Sequence, residues 1–329
     1  MLRRTLWTAL AVALAVAAPA GCGGSNDEDS GSTPPPEAKF SHFPPGSGQT
    51  VDELRAGMAQ GPVLSPTVSV VEKGRNRIGF ALFDRARKQI TGASVALYTA
   101  SAKGTGVSGP YPARSESLVV MPQFVARTTS QDPDAAKSVY VADVPLRMNG
   151  LPAIVAVARL DGRLVASSAA PVGKWGGAPA QPPRVGEKAI KISTPTAASV
   201  GGDLSKIDTR VPPSDQHDVD FADVLGKKPV VLTFATPQLC QSRVCGPVVD
   251  VAEQVKASWG DRAAFIHMEI YEDNKISNPP KFRPQVTKWR LPSEPWTFVV
   301  GKDGRVKARF EGAVSVVELE RALQQTIKS

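Results

Sequence analysis

The chain has 329 residues, 42% apolar and 21% charged, which allows more than one hydrophobic core and excludes a wholly disordered protein. Its net charge of +8 is dispersed, with no run of five basic residues and few aromatics beside the Lys and Arg. That pattern excludes a nucleic-acid footprint and describes a solvated surface suited to facing anionic lipid.

Arg3 and Arg4 precede an apolar stretch from Ala9 to Ala18, too short to span a bilayer and right for the core of an export signal. Pro19-Ala20-Gly21-Cys22 then resembles the bacterial lipobox, with Pro19 where that pattern usually has Leu. Ordinary cleavage after Ala20 also fits the sequence. It would leave an odd thiol among three cysteines in an oxidising compartment, whereas lipidation consumes Cys22 and leaves one pair. Residues 1–22 are therefore expected to be a lipoprotein signal, placing the mature chain on the outer face of the cell membrane. Residues 23–63, opening with Asn26-Asp27-Glu28-Asp29 and Pro34-Pro35-Pro36, have the composition of a tether.

Residues 64–170 carry short β-type runs: Thr67 to Val71, Arg77 to Phe83, Ser94 to Thr99, Ser138 to Val144 and Ala153 to Leu160. Turn signals at Gly74-Arg75-Asn76, Met148-Asn149-Gly150 and Asp161-Gly162 separate them. Strands without intervening helices predict an all-β sandwich, resembling immunoglobulin-like modules by pattern alone. Pro110 to Asp134 reads as a long crossover loop, and residues 171–183, with Trp175-Gly176-Gly177, as a linker.

From residue 184 the elements alternate. Val230 to Phe234 is a continuous apolar run of a strand buried on both faces, and Pro247 to Ser258 has helical spacing with proline at its first position. Ala264 to Ile270 is a second strand; Trp296 to Val300 and Val306 to Phe310 flank Gly301-Lys302-Asp303-Gly304 as a hairpin. Ser315-Val316-Val317-Glu318 opens the last helix as a capping box.

This α/β order, with Cys240 and Cys245 directly after the first strand and Pro295 just before the hairpin, resembles the thioredoxin-like fold of the thiol-disulfide oxidoreductase and redoxin branch. Arg184-Val185-Gly186-Glu187-Lys188-Ala189 resembles that branch's entry hairpin, with Ile190 replacing a proline. The resemblance covers residues 184–329. It implies a cis-proline at Pro295 beside a redox pair, thiol-disulfide exchange with protein thiols or disulfides of the cell envelope, and no cofactor.

The spacing departs from the family, with four residues between the cysteines instead of two. On one regular helix, positions i and i+5 lie about 8 to 9 Å apart, beyond disulfide reach. A bridge therefore requires Cys240 to Gly246 to be a loop or the first helical turn to open. Arg243 and a helix N-terminus favour a reactive thiolate at the pair. A permanent staple in a binding or assembly protein fits the same residues.

Trp296 lines a substrate groove or fills the core. Glu269, Tyr271, Glu272, Asp273 and Asn274 fall at the carboxyl end of the second strand, on the cysteine side, as proton carriers or as a solvated loop. His42, His217 and His267 are the only histidines, and none occupies the late position that copper chaperones use, so no metal is expected. Pro237 and Pro295 stand where peroxiredoxins keep a hydroxyl and an arginine, which disfavours peroxidase chemistry.

Overall fold

A computed structural model describes residues 37–147, 152–173, 181–240 and 242–328. The signal segment with Cys22, the first part of the predicted tether, the Met148-Asn149-Gly150 turn and Trp175-Gly176-Gly177 lie outside the described residues. No helix among the described residues is long and apolar enough to cross a membrane.

The predicted tether is structured from residue 37 onward. Phe40–His42 forms a 3-10 turn, and helix α1 (Val51–Arg55) is closed by a capping box in which Thr50 Oγ1 accepts from the Glu53 amide and Glu53 accepts from the Thr50 amide. Phe43, Val51 and Leu54 are buried against Ala96, Tyr98, Val155 and Val157. The capping box and the apolar residues around it outweigh the Gly/Pro composition that suggested disorder.

The β-rich part comprises β1 (Ala59–Gln60), β2 (Val63–Pro66), β3 (Gly74–Phe83), β4 (Ser94–Ala100), β5 (Ser108–Ser117), β6 (Ser138–Leu146), β7 (Ala153–Leu160), β8 (Arg163–Ala166) and β9 (Ala170–Pro171). Helix α2 (Arg127–Ser130) lies between β5 and β6. Instead of two stacked sheets, hydrogen bonding joins all nine strands in the order β1-β8-β7-β4-β5-β6-β3-β2, with β9 on β7. Strands β1 and β2 are two residues apart in the chain yet sit at opposite ends of that path, so the sheet curls until its ends adjoin.

Side-chain alternation gives β4, β6 and β7 two apolar faces. On β6, Tyr140, Ala142 and Val144 enter the interior of the curl, while Val139 and Val141 pack on the C-terminal part. Two predicted elements differ. The loop expected from residue 110 contains β5, a central strand whose Pro110 and Pro112 argued against it; the ladder accommodates them beside an irregularity between Leu97 and Thr99. Thr67 to Val71 is not a strand but a strap, whose Ser69 and Val70 amides donate to the Glu311 carboxylate at 2.7 and 2.9 Å.

The C-terminal part begins with an irregular segment and helix α3 (Phe221–Val224), followed by β10 (Val230–Phe234), α4 (Cys245–Trp259), β11 (Ala264–Met268), α5 (Pro284–Lys288), β12 (Trp296–Val300), β13 (Val306–Glu311) and α6 (Val316–Lys328). The sheet order is β11-β10-β12-β13, with β10 parallel to β11 and antiparallel to β12. Val231 and Val299 pack with α4 and α6 on one face; Leu232, Phe234 and Phe298 pack with Trp289 and Phe221 on the other. Strand order, crossover helix and terminal hairpin make this a thioredoxin-like domain.

The described residues form one compact unit. Glu318, which closes the capping box of α6 with Ser315, is gripped by Arg77 of β3 at 2.6 and 2.8 Å and by Arg114 of β5 at 2.9 Å. The predicted linker therefore separates two chain segments that share a core.

Candidate functional site

Strand β10 ends at Phe234, and the chain turns through Thr236 to Leu239 before reaching Cys240. Helix α4 starts at Cys245, two residues earlier than Pro247 had suggested. Pro247 is thus its third residue, where the amide it lacks would have no intrahelical acceptor. Cys240 remains outside the helix, which meets the geometric condition for a bridge. The two cysteines form a disulfide with Cα atoms 6.0 Å apart.

The two sulfurs differ in access. Cys245 is fully buried with Ala235 and Val249, while Cys240 is partly exposed and has Ser242 Oγ at 3.0 Å. The dipole of α4 adds positive potential at the pair. Arg243, between the cysteines, adopts φ +62° and is held by the β-rich part: its carbonyl accepts from the Ala136 amide, and its guanidinium meets Asp134 at 3.2 Å and the Phe83 ring at 5.6 Å.

The Glu294–Pro295 peptide is cis. Pairing of Phe234 with Trp296 sets Pro295 across from Ala235, at the same end of the sheet as the cysteine loop. Trp296 does not line a groove. It is 1% exposed and stacks on Phe298 with centroids 5.6 Å apart, so it belongs to the core. Glu294, half-buried, instead lines with Ser242 and Arg243 a cleft of about 500 Å³ that Phe83, Arg85 and Arg87 of the β-rich part also line. Sequence reading could not find these three, because they lie more than 150 residues before the cysteines.

Glu269 and Tyr271 are buried, not part of a solvated loop, while Glu272 and Asp273 are exposed. Glu269 Oε1 accepts from both the amide and the hydroxyl of Thr209 at 2.7 Å, and its Oε2 has no partner among the described residues. The Thr209 hydroxyl also accepts from the Gln238 amide, tying Glu269 to the cysteine loop. Tyr271 donates to Glu294 at 3.4 Å. Burial pushes the Glu294 carboxyl up to about 7; the Tyr271 hydrogen bond opposes this rise and the charge of Glu269 adds to it.

A second cluster joins residues that the sequence keeps apart. The segment around Gln216 runs along the outer edge of β11, where the His267 amide donates to the Gln216 carbonyl. His217 and His267 thereby meet at Asp208, whose Oδ2 lies 3.0 Å from His217 Nε2 and 3.3 Å from His267 Nδ1. Burial lowers the His217 ring. At His267 burial is outweighed by the charge and hydrogen bond of Asp208, which raise it to about 9, and Asp208 itself is held far below the carboxylate range by the two rings. His42 lies elsewhere, as the last residue of the 3-10 turn Phe40–His42.

No family model matches this chain, and no curated protein matches it in sequence. Solved structures similar to it include a thioredoxin-like superfamily protein, 16% identical, with 34% of this chain and 87% of that one covered at a TM-score of 0.29. Another is a thiol:disulfide interchange protein of the thioredoxin family from Chlorobium tepidum TLS, 17% identical, with 46% of this chain and 99% of that one covered at a TM-score of 0.29. The thioredoxin-like character of residues 184–329 rests on the strand order itself.

Proposed function

We propose that this chain is an exported, lipid-anchored protein that exchanges thiols and disulfides with polypeptide partners of the cell envelope through Cys240 and Cys245. The observation that carries the reading is the asymmetry of the pair, Cys240 partly exposed on the loop that precedes α4 and Cys245 fully buried at the first position of that helix. With the pair oxidised, a partner thiolate attacks Cys240 Sγ and Cys245 leaves as a thiolate. A second partner thiol then attacks the mixed disulfide, so the partner becomes oxidised and the protein holds two thiols. In reverse, the Cys240 thiolate attacks a partner disulfide and Cys245 resolves the adduct. The cleft walled by Arg85, Arg87, Arg243 and Glu294 gives an extended partner a place beside Cys240. Lipidation accounts for Cys22, the one cysteine outside the disulfide.

One observation favours the second reading, a permanent staple: the loop between the cysteines is bound by Asp134 and Ala136. Trapping separates the two. A Cys245→Ser protein should accumulate mixed disulfides with partner polypeptides on non-reducing gels, and Cys240→Ser should accumulate none. Equal trapping by both variants, or none by either, would refute exchange through this pair.

A further inference from the structure

We propose that Asp208, His217 and His267 form a buried site for one divalent transition-metal ion, with Zn²⁺ the best match. Their ligand atoms all lie within 4.8 Å of one another, and no cysteine belongs to the group. The Asp208 Oδ2 separations of 3.0 Å to His217 Nε2 and 3.3 Å to His267 Nδ1 are at or just under the edge of a small tetrahedron. With metal bonds of 2.0–2.1 Å, tetrahedral donors stand about 3.3 Å apart. Each residue is at most 2% exposed, so the three are fixed by the fold before any ion arrives.

The surroundings resemble the outer sphere of a metal centre. His267 Nε2 is 3.0 Å from the Ala235 carbonyl, which sets the ring so that Nδ1 faces Asp208, and Asp208 Oδ1 accepts from the Arg210 amide at 2.7 Å. Independent of these contacts, Glu269 Oε2 is buried without a partner among the described residues, and Glu269 is near enough for its charge to act on both imidazoles. Two imidazole nitrogens and the Asp208 carboxylate make a donor set of nitrogen and oxygen, with the Glu269 charge nearby. That set selects a borderline ion such as Zn²⁺ over Cu(I), which soft thiolates would hold.

The test uses the full chain and the same chain with Cys22, Cys240 and Cys245 all replaced by Ser. Each is stripped with chelator, equilibrated with Zn²⁺ and passed through a desalting column before elemental analysis, and Co²⁺ is used in parallel for its tetrahedral absorption bands. We expect one Zn²⁺ per chain in both proteins, and at least a 100-fold weaker affinity in His217→Gln and in Asp208→Asn, since even outer-sphere changes cost 10- to 100-fold. Circular dichroism identifies any variant that fails to fold, and the Co²⁺ spectrum of the unmutated chain stands without variants. Absence of retained Zn²⁺ and of tetrahedral Co²⁺ bands in the unmutated chain, or unaltered retention in folded His217→Gln, would overturn the site. Neither result bears on exchange through Cys240, because the cysteine-free chain reports the site alone.

Discussion

Replacing Arg210 by Ala should destabilise the protein by about 3–5 kcal/mol, the cost of stranding one partner of a buried ion pair. Arg210 Nε meets Asp250 Oδ1 at 2.9 Å, with side chains 6% and 1% exposed. Its remaining donors go to the carbonyls of Pro212 and Phe124 at 2.9 and 2.8 Å, and the Ala126 amide donates to Asp250. The pair therefore binds α4 and the entry segment of the thioredoxin-like domain to the 122–130 stretch of the β-rich part. Loss of Arg210 leaves the Asp250 carboxylate without its cation and two carbonyls without donors. Denaturant unfolding of the full chain measures the effect. Arg210→Met combined with Asp250→Leu should recover much of the loss, since an apolar pair carries no desolvation cost. A change below about 1 kcal/mol in Arg210→Ala would mean that the pair behaves as a surface contact.

Glu294→Gln should stabilise the protein above neutral pH and flatten its stability between about pH 4.5 and 7. The folded carboxyl titrates near 7 against an ordinary value of 4.5, so the folded state disfavours its charge. The sign follows from linkage: the contribution is fully present below 4.5 and is lost as pH rises through 7, when the folded state must accept a carboxylate that the unfolded state already carries. The full span is on the order of 3 kcal/mol for a shift from 4.5 to about 7. Gln keeps the shape and an acceptor for Tyr271 without the titration. Denaturation midpoints at pH 5 and pH 8 should lie closer together for Glu294→Gln than for the wild type, the remaining slope coming from groups such as His267, raised to about 9. Identical pH profiles would show that Glu294 is solvated in the folded protein.

The C-terminal elements were legible because each has a local cause: the apolar run Val230 to Phe234, the Ser315 to Glu318 capping box and the glycines of the 301–304 turn act within a few residues. The cysteine pair and Pro295 were legible by their place in that order. Non-local causes escaped. Strand β5 was hidden by Pro110 and Pro112, which precede the Ala113–Ser117 stretch paired with β6 and so withhold no amide from that ladder. Trp296 could be assigned to the core only once Phe298 was placed beside it. Asp208 carries no motif with His217 or His267, and the three converge because one irregular segment follows the edge of β11. Helix α1 differs: Thr50-Val51-Asp52-Glu53 is a capping box in plain sequence, set within a composition that is otherwise that of a tether.

The reduction potential of the Cys240–Cys245 couple tests the central claim most directly. The full chain carrying Cys22→Ser, so that one couple titrates, is equilibrated against graded dithiol buffers and its free thiols are counted. Thiol-disulfide exchange predicts a midpoint between about −120 and −270 mV, the range of exchanging oxidoreductases. A midpoint below about −300 mV would mark a permanent structural disulfide and contradict it.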